Sequence, residues 1–325
     1  MRAIVITRPG GPDVLTIENR PDPVPQPGQV LIEVKAFGVN HAEIHMREGV
    51  WPEAAEISGI ECVGVVRADP QGRLAPGQKV VAFMGGLGRS LNGSYAELTC
   101  APAGNVMPIE TRLEWDALAA IPESYATAWT ALFGNLDLRA GQTLLIRGAT
   151  SALGQAALNI AAAAGARVIA TTRDPARFDT LAALGAEATE RDTPDLAQRI
   201  RQRHPQGLDA VLELVGNSTV VDSLAMVRPG GRLCLAGFLG GLAPIPSFMP
   251  VAQMPSGVHF SFFGSFAFGT PGFPTSAIPM QTIVERVEAG LYKAKPARVF
   301  AFEDICEAHR LMEAGAANGK IVVRL

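Results

Sequence analysis

Hydrophobic and polar residues alternate along the first third of the chain. In VLIEVKA, residues 30–36, the apolar side chains of Val30, Ile32 and Val34 fall on one face, while Glu33 and Lys35 fall on the other. This period of two predicts a half-buried strand. A similar apolar run spans residues 62–68, and glycines and prolines separate such runs up to about residue 120. The pattern favours an antiparallel, β-rich domain.

From about residue 121 the pattern changes to continuous aliphatic runs separated by longer amphipathic stretches. The predicted strands are residues 144–147, 167–171, 210–214 and 232–236, and the predicted helices are residues 152–164, 175–184, 193–203 and 218–226. Strands that are apolar throughout and joined by helices indicate a parallel sheet covered on both faces. The last part of the chain predicts two more helices and a final strand within GKIVVRL, residues 319–325.

The turn after the first parallel strand carries a variant of the dinucleotide-binding fingerprint. Gly148, Ser151 and Gly154 occupy its three glycine positions, at the start of a predicted helix. Backbone N–H groups at such a helix start favour a phosphate. The Ser151 hydroxyl is suited either to cap the helix or to bond the pyrophosphate. Because further strand–helix units follow, we expect this turn to bind a dinucleotide, with contributions also from Thr150, Ala152 and Leu153.

The end of the second parallel strand indicates which nucleotide is bound. An acid at this place would bind the ribose hydroxyls of NAD, whereas a neutral residue with arginine nearby accepts the 2′-phosphate of NADP. Here Thr172 is followed by Arg173 and Arg177, and Asp174 stands late enough to cap the next helix instead. Arginine donates paired hydrogen bonds to phosphate, so the sequence predicts NADPH. In the alternative, both arginines are solvated surface charges.

Composition and charge narrow the possible partners. The formal net charge of -3 gives no general attraction to nucleic acid or to an anionic membrane. Residues 233–284 contain no Asp, Glu, Lys or Arg, but repeated prolines interrupt them, so we expect a buried or interfacial stretch and not a membrane anchor. The four cysteines form no CxxC pair, and no export signal precedes the first predicted strand. We therefore expect reduced thiols and a cytoplasmic location.

Several motifs together resemble one family. They are GVNHAEIHMREGVWP (38–52), GSYAELTCAP (93–102), PESYATAWTAL (122–132), DAVLELVG (209–216) and NGKIVVRL (318–325). With the glycine turn, they are similar to the medium-chain dehydrogenase/reductase superfamily, most of all to its zinc-independent quinone oxidoreductase branch, which includes zeta-crystallin. The resemblance implies an α/β protein with a GroES-like, β-rich catalytic domain, residues 1–120 and 271–325. Residues 121–270 would form a Rossmann domain with a doubly wound parallel sheet.

The resemblance also implies that no metal is bound. Zinc-dependent members have a cysteine where this chain has Asn40, and a histidine where it has Ile60. The third ligand and the four cysteines of the structural zinc lobe are absent from the sequence as well. Without these ligands the family's tetrahedral site cannot form. Hydride must then reach an acceptor that is already electron-poor, such as a quinone or an α,β-unsaturated carbonyl.

Candidate catalytic residues follow from the same resemblance. It places Asn40 and Thr127 near the nicotinamide, and Trp51 at the mouth of the substrate site. His45 stands where many quinone reductases have a tyrosine. An imidazole there is suited to donate a hydrogen bond or a proton, or it only shapes the pocket. The alternative for Thr127 is a structural role at a helix start.

Further cofactor contacts are expected from two other segments. Gly237 and Phe238 follow a predicted strand at its carboxyl end, where doubly wound folds bind their ligands. Asn318 and Lys320 lie in the NGK segment, which reaches the cofactor phosphates in relatives. Lys320 is alternatively a charge at the edge of a strand.

The leading hypothesis is an NADPH-dependent quinone reductase that acts on a small electrophile, with neither nucleic acid nor membrane as a partner. The apolar segment GVHFSFFGSF, residues 257–266, would pair the sheets of a homodimer or homotetramer. A second hypothesis is a reductase of 2-alkenals or enoyl thioesters. A third, from a different class, is an NADPH-binding protein with little catalysis, used structurally as crystallins are.

Overall fold

A computed structural model describes residues 1–51 and 53–325, and this part of the chain divides into two compact units. Unit 1 comprises Met1–Ala126, Ser265–Gly290 and Ala294–Leu325, and unit 2 comprises Thr127–Gly264 and Leu291–Lys293. The chain changes unit at 126/127 and 264/265, whereas the predicted domain boundaries are 120/121 and 270/271. The first boundary lies later because Glu61 of unit 1 accepts a hydrogen bond from the backbone N–H of Glu123, at 2.9 Å.

Short strands and helices alternate along most of the chain. The strands are β1 (Arg2–Ile6), β2 (Leu15–Asn19), β3 (Gln29–Val39), β4 (Glu61–Ala68), β5 (Lys79–Phe83), β6 (Leu98–Pro102), β7 (Val106–Pro108), β8 (Thr143–Arg147), β9 (Arg167–Thr172), β10 (Ala188–Arg191), β11 (Leu208–Glu213), β12 (Val227–Leu235), β13 (His259–Phe262), β14 (Arg298–Ala301) and β15 (Ile321–Arg324). The helices are α1 (His41–Arg47), α2 (Trp115–Ala119), α3 (Pro122–Trp129), α4 (Ala152–Ala163), α5 (Phe178–Ala183), α6 (Leu196–Arg203), α7 (Val220–Ala225), α8 (Pro250–Gln253), α9 (Met280–Glu288) and α10 (Ile305–Glu313).

Unit 1 is built on a mostly antiparallel sheet. Its described strands follow the order β14-β15-β3-β4-β5-β7, with β6 also paired to β3, and only β14 and β15 run parallel. The predicted alternation in β3 is confirmed, because Val30, Ile32 and Val34 are buried while Glu33 and Lys35 are partly exposed. The buried face of this sheet forms the core of the unit.

Unit 2 contains a parallel sheet with helices between its strands. Within the described residues its order is β10-β9-β8-β11-β12-β13. This is the doubly wound order in which the direction of winding reverses between β8 and β11, so ligands are expected at the carboxyl ends of those two strands. The predicted α/β fold class, with a GroES-like unit and a Rossmann unit, is confirmed. No helix in the described ranges is long and apolar enough to cross a bilayer.

A buried arginine connects three segments of unit 2 at the end of β8. The side chain of Arg147 is 4% exposed, and its Nη2 lies 2.7 Å from Asp192 Oδ1, in the loop after β10. Its Nη1 lies 2.7 Å from Asp222 Oδ2 in α7 and 3.1 Å from Ser223 Oγ. The guanidinium therefore fixes β8, the loop after β10 and α7 relative to one another.

We predict that Arg147→Met lowers the free energy of unfolding of unit 2 by about 3 kcal/mol, because removing one partner of a buried ion pair leaves the other charges uncompensated. Native-state hydrogen exchange of the amides in β8 and β11 measures this change. The matched control is Arg139→Met, since Arg139 pairs with Asp137 at 3.1 Å with both side chains at least half exposed. Such an exposed pair contributes less than about 1 kcal/mol. Equal losses in both variants would contradict the assignment.

Candidate functional site

The glycine turn after β8 has the close packing that its sequence predicts. Gly148 has φ +86°, and a Cβ atom there would lie 3.1 Å from Leu239 Cδ1. A Cβ atom on Gly154 would lie 2.6 Å from the carbonyl oxygen of Gly148. The first glycine therefore permits the left-handed turn, and the last permits helix α4 to pack on the strand.

Ser151 caps helix α4. Its Oγ accepts a hydrogen bond from the backbone N–H of Gly154 at 3.0 Å, and its O–H donates to the carbonyl oxygen of Gly148 at 2.9 Å. Of the two roles open to this hydroxyl, the structure shows the N-cap. Ala152 and Leu153 form the first turn of α4, and the carbonyl oxygen of Thr150 accepts from Gln155 Nε2 at 3.0 Å. The backbone of the turn is thereby held beside the positive end of the helix.

The segment after β9 leaves its arginines toward solvent and uses its acid internally. Asp174 Oδ1 accepts from the backbone N–H of Ala176 at 3.0 Å, and Asp174 Oδ2 lies 3.4 Å from Arg177 Nε. The predicted capping role of Asp174 is confirmed. Arg173 is exposed and has no hydrogen-bond or ion-pair partner within residues 1–51 and 53–325. Thr172, the last residue of β9, is buried, and its Oγ1 accepts from the Asp174 N–H at 3.2 Å.

A buried acid, which the sequence interpretation missed, shapes the neighbouring strand end. Glu213 closes β11 and accepts hydrogen bonds from the backbone N–H groups of Val215, at 2.7 Å, and Gly216, at 3.0 Å. Burial raises the pKa of this carboxyl. The signal was available, since a lone glutamate interrupts the apolar run of DAVLELVG. Glu213 holds the turn after β11 in shape.

The turns after β11 and β12 approach each other closely. A Cβ atom on Gly237 would lie 2.7 Å from the carbonyl oxygen of Leu214, so only glycine fits there. The neighbouring Phe238 ring lies 6.0 Å from that of Phe262. The carboxyl ends of the central strands therefore present mainly backbone and small side chains, as a dinucleotide site requires.

In unit 1, a buried ion pair holds the side chain of Asn40. Its Oδ1 accepts from Lys320 Nζ at 2.6 Å, and its Nδ2 donates to Glu61 Oε1 at 2.9 Å. Lys320 and Glu61 are themselves ion-paired, with side chains 5% and 0% exposed. A Cβ atom on Gly38 would collide with both of them. The position and rotamer of the Asn40 amide are thus fixed from both sides.

Lys320 is therefore an internal cation, and its alternative as a strand-edge charge is wrong. Asn318, two residues earlier, has φ +55°, and its side chain donates to the carbonyl oxygen of Ala316 at 2.8 Å. Contacts of these two residues with a cofactor stay a prediction.

A second buried network, also missed from the sequence, supports the start of α1. Glu43 accepts from the backbone N–H groups of Asn40, at 2.5 Å, and Ile60, at 3.0 Å, and from the Tyr95 hydroxyl at 3.0 Å. Burial raises the pKa of Glu43 to about 7. Tyr95 Oη in turn lies 3.0 Å from His309 Nε2.

The tautomer of His309 follows from its other neighbour. Arg47 Nη1 lies 3.0 Å from His309 Nδ1. Because a guanidinium only donates, Nδ1 accepts and Nε2 carries the proton that is donated to Tyr95. Burial, together with the charge of Arg47, lowers the pKa of His309 to about 3, so the ring is neutral. The chain of donors runs from Arg47 through His309 and Tyr95 to Glu43.

His45 lies on α1 beside a row of aromatic side chains. Its ring centroid is 5.5 Å from that of His41 and 5.9 Å from that of Trp51. Its Nε2 is buried and has no hydrogen-bond partner in the described part of the chain. Burial lowers the pKa of His45, so the imidazole is neutral at pH 7. A neutral imidazole still donates a hydrogen bond through its N–H, but it does not act as a general acid in the way that an imidazolium does.

Thr127 is buried inside helix α3. Because α3 begins at Pro122, the alternative role of Thr127 at a helix start is wrong. Its expected contact with nicotinamide stays a prediction.

The residues at the expected zinc positions do not fit a zinc centre. Asn40 and Glu61 are both bonded to the ammonium of Lys320, and Ile60 offers only a buried aliphatic side chain. Zinc needs thiolate, imidazole or carboxylate ligands in a tetrahedral array. Among residues 1–51 and 53–325, no group of three or more His, Cys, Asp and Glu side chains is placed to hold a metal ion.

Comparison with known proteins gives both sequence and structural relatives. Residues 26–111 match the alcohol dehydrogenase GroES-like domain family, and residues 152–280 match the zinc-binding dehydrogenase family. The quinone oxidoreductase of Mus musculus is 31% identical over 250 residues, which are 74% of this chain and 74% of that protein. The structure of mycobacterial Rv1454c complexed with NADPH is similar with a TM-score of 0.89 at 26% identity, over 100% of both chains.

A much longer protein is similar as well. It is a component of the phenolphthiocerol/phthiocerol polyketide synthase of Mycobacterium tuberculosis, and it is 30% identical over 98% of this chain. The match spans only 14% of that longer protein. Together with the mouse relative and the two domain families, these similarities extend over both units. The chain belongs to the quinone oxidoreductase branch of the medium-chain dehydrogenase/reductase superfamily, a superfamily of oxidoreductases.

Proposed function

We propose that the protein is an NADPH-dependent, zinc-independent reductase that transfers hydride to a quinone or a similar electron-poor carbonyl compound. The observation that carries the cofactor choice is the segment after β9. Its acid, Asp174, is occupied by its own turn, while Arg173 is exposed and unpaired within the described residues. A 2′-phosphate would find the unpaired cation of Arg173 there, while the Asp174 carboxylate pairs with Arg177. The mycobacterial structure complexed with NADPH supports the same choice.

Unit 2 would hold the cofactor through its strand ends. The backbone of the turn from Gly148 to Gly154 and the start of α4 suit the pyrophosphate, and Arg173 with Arg177 suits the 2′-phosphate. The turn at Gly237 and Phe238 would accept the part of the cofactor beyond the pyrophosphate. NADPH supplies the hydride when it is bound, and the protein orients the reactants and excludes water.

Unit 1 would bind the acceptor and stabilise the charge that develops on its oxygen. Within the described residues His45 Nε2 has no hydrogen-bond partner, so a neutral ring protonated there would keep a donor for the acceptor, and a fixed donor of this kind stabilises developing negative charge. Asn40, held by Lys320 and Glu61, would form a rigid wall of the same site. Trp51 would line its mouth. Because no side-chain set among residues 1–51 and 53–325 fits zinc, the acceptor itself would have to be electron-poor.

The assembly and location belong to this proposal too. Edge strand β13 exposes the side chains of Phe260 and Phe262, which suits sheet pairing between copies in a homodimer or homotetramer. All four cysteines lie in the described part of the chain and none forms a disulfide, which suits the cytoplasm.

A second candidate is the reduction of a carbon–carbon double bond in a 2-alkenal or an enoyl thioester. The similarity to a section of a polyketide synthase favours it. NADPH consumption by the chelator-treated protein, measured with an ortho-quinone and separately with an alkenal, separates the candidates. Turnover of the quinone supports the first, turnover of the alkenal alone supports the second, and NADPH binding without any turnover would support the crystallin-like alternative.

We predict that Arg173→Ala weakens NADPH binding by about 10- to 100-fold, because a hydrogen bond to a charged group contributes about 1.5–3 kcal/mol. The affinity for NADH should change less than about twofold, since NADH lacks the 2′-phosphate. Isothermal titration with both nucleotides measures the difference. Arg139→Ala, another exposed arginine of unit 2, is the control and should change neither affinity. Equal losses for NADPH and NADH would rule out the phosphate contact.

We predict that His45→Ala lowers kcat by about 100-fold, the usual effect of removing one hydrogen-bond donor to a developing oxyanion. His45→Gln, which keeps an N–H donor, should recover part of that loss. Because burial lowers the pKa of His45 below its usual value of about 6.5, the ring stays neutral and kcat should stay flat from pH 8 to about pH 6.5. A pH–rate profile checks this sign. A rate that rises as pH falls through 6.5 would instead indicate an imidazolium acid.

A further inference from the structure

Unit 1 contains a cleft that the proposed chemistry has not yet used. Its volume is about 360 Å³, the size of a small-molecule site. Residues from four stretches of unit 1 line it, among them Glu53, Arg89, Ser90, Asn105, Phe266 and Phe268. Of the lining residues in the described ranges, Arg89 is the cationic one. The cleft therefore carries one cation and one acid, Glu53, among neutral residues that include two phenylalanines.

Two aromatic rings hold the guanidinium of Arg89. Its Cζ lies 5.5 Å from the ring centroid of Trp51 and 5.2 Å from that of Phe266. Its side chain is only 21% exposed. Contact of a planar cation with aromatic faces orients it without satisfying its N–H donors. Arg89 is thus positioned by packing and keeps its hydrogen-bonding capacity for another group.

Groups of the protein use only part of the hydrogen-bonding capacity of Arg89. Arg89 Nη2 lies 3.1 Å from Glu53 Oε2, but the Glu53 side chain is 64% exposed. Arg89 Nε is buried and has no partner in the described part of the chain. An exposed ion pair contributes little to stability, whereas a buried donor without a partner destabilises the protein. The edge formed by Nε and Nη2 is the one on which arginine binds a carboxylate with two parallel hydrogen bonds.

The cleft adjoins the candidate acceptor residues of unit 1. The Trp51 ring that contacts Arg89 also lies 5.9 Å from the His45 ring. These contacts form one row of side chains. The neutral donor His45 lies at one end, and the Arg89 cation lies toward the other end, between the rings of Trp51 and Phe266. A planar acceptor that reaches His45 would extend its far end toward Arg89.

We propose that this cleft recognises a carboxylate on the electron-poor acceptor, which displaces Glu53 and bonds Nε and Nη2 of Arg89 together. This inference rests on the proposed reductase function and names the substrate class: a quinone or enone that carries a single carboxylate. A diphosphate or a coenzyme A thioester is disfavoured, because such a multiply charged group needs several cations and the cleft offers one cation with an acid beside it.

The test compares two acceptors in four proteins. The acceptors are 1,4-naphthoquinone and 1,4-naphthoquinone-6-carboxylate, which differ only away from the reacting ring, and the proteins are the wild type, Arg89→Gln, Glu53→Gln and Arg8→Gln. The measured quantity is the ratio of kcat/KM for the carboxylate to that for the neutral quinone, with NADPH saturating. Arg8 is an exposed arginine of the same unit and serves as the matched control.

The two site variants should shift this ratio in opposite directions. Arg89→Gln should lower it about tenfold or more, the effect of losing a charge-assisted hydrogen bond. Glu53→Gln should raise it, because the competing carboxylate is gone, and Arg8→Gln should leave it unchanged. A ratio that is unaffected by Arg89→Gln, or lowered by Glu53→Gln, would overturn the proposal.

Failure of the reductase function is distinguishable from failure of this inference. If the wild type reduces neither quinone, the proposed function is wrong, and quenching of tryptophan fluorescence by the two quinones still reports their binding. Tighter binding of the carboxylate that is lost in Arg89→Gln would support the subsite. Equal binding of both quinones in all four proteins would exclude it.

Discussion

The Lys320 ammonium and the Glu61 carboxylate form an ion pair that is almost completely shielded from solvent. It brings together the residue before β15, the first residue of β4, the Asn40 side chain after β3 and the first turn of α3. A carboxylate buried at this depth is stable only when a cation and hydrogen bonds compensate its lost hydration. Segments of unit 1 that are far apart in the sequence are therefore held together at this ion pair. The candidate catalytic residue Asn40 is hydrogen-bonded to both of its members.

This arrangement bears on how a superfamily associated with zinc can work without it. The positions that hold zinc ligands in zinc-dependent members are taken here by an amide and an aliphatic side chain. The remaining acid, Glu61, is neutralised by an internal lysine. The hydrogen-bonded network of Glu43, Tyr95 and His309 also holds the backbone at Ile60, the residue before Glu61. Charge in this region is balanced inside the protein, so in the reaction that we propose polarisation of the acceptor would come from its own chemistry and from neutral donors such as His45.

Local patterns in the sequence were sufficient for the architecture and not for these networks. The period of two in β3 and the strand–helix units with their glycine turn depend on neighbouring residues, which a single sequence displays. The four-residue strands β10 and β14 are too short to show such a pattern and were missed. Lys320 and Glu61 are 259 residues apart, and Tyr95 and His309 are 214 apart. Nothing local indicates that such residues meet, and for that reason the sequence analysis assigned Lys320 to the cofactor phosphates or to a strand edge and did not single out His309.

The arginines show how the degree of internal pairing separates structural from ligand-binding roles. Arg147 and Arg47 are buried and bonded on several sides, so neither has donors left for a ligand. Arg173 is exposed and has no internal partner in the described ranges. Arg89 is oriented by two rings, and of the two donors on one edge of its guanidinium only Nη2 is bonded. A guanidinium that is fixed but incompletely bonded has already lost part of its conformational entropy and gains hydrogen bonds when an anion binds. By this criterion Arg89 is already oriented for the carboxylate that we propose, whereas Arg173 would become ordered only when the proposed phosphate binds.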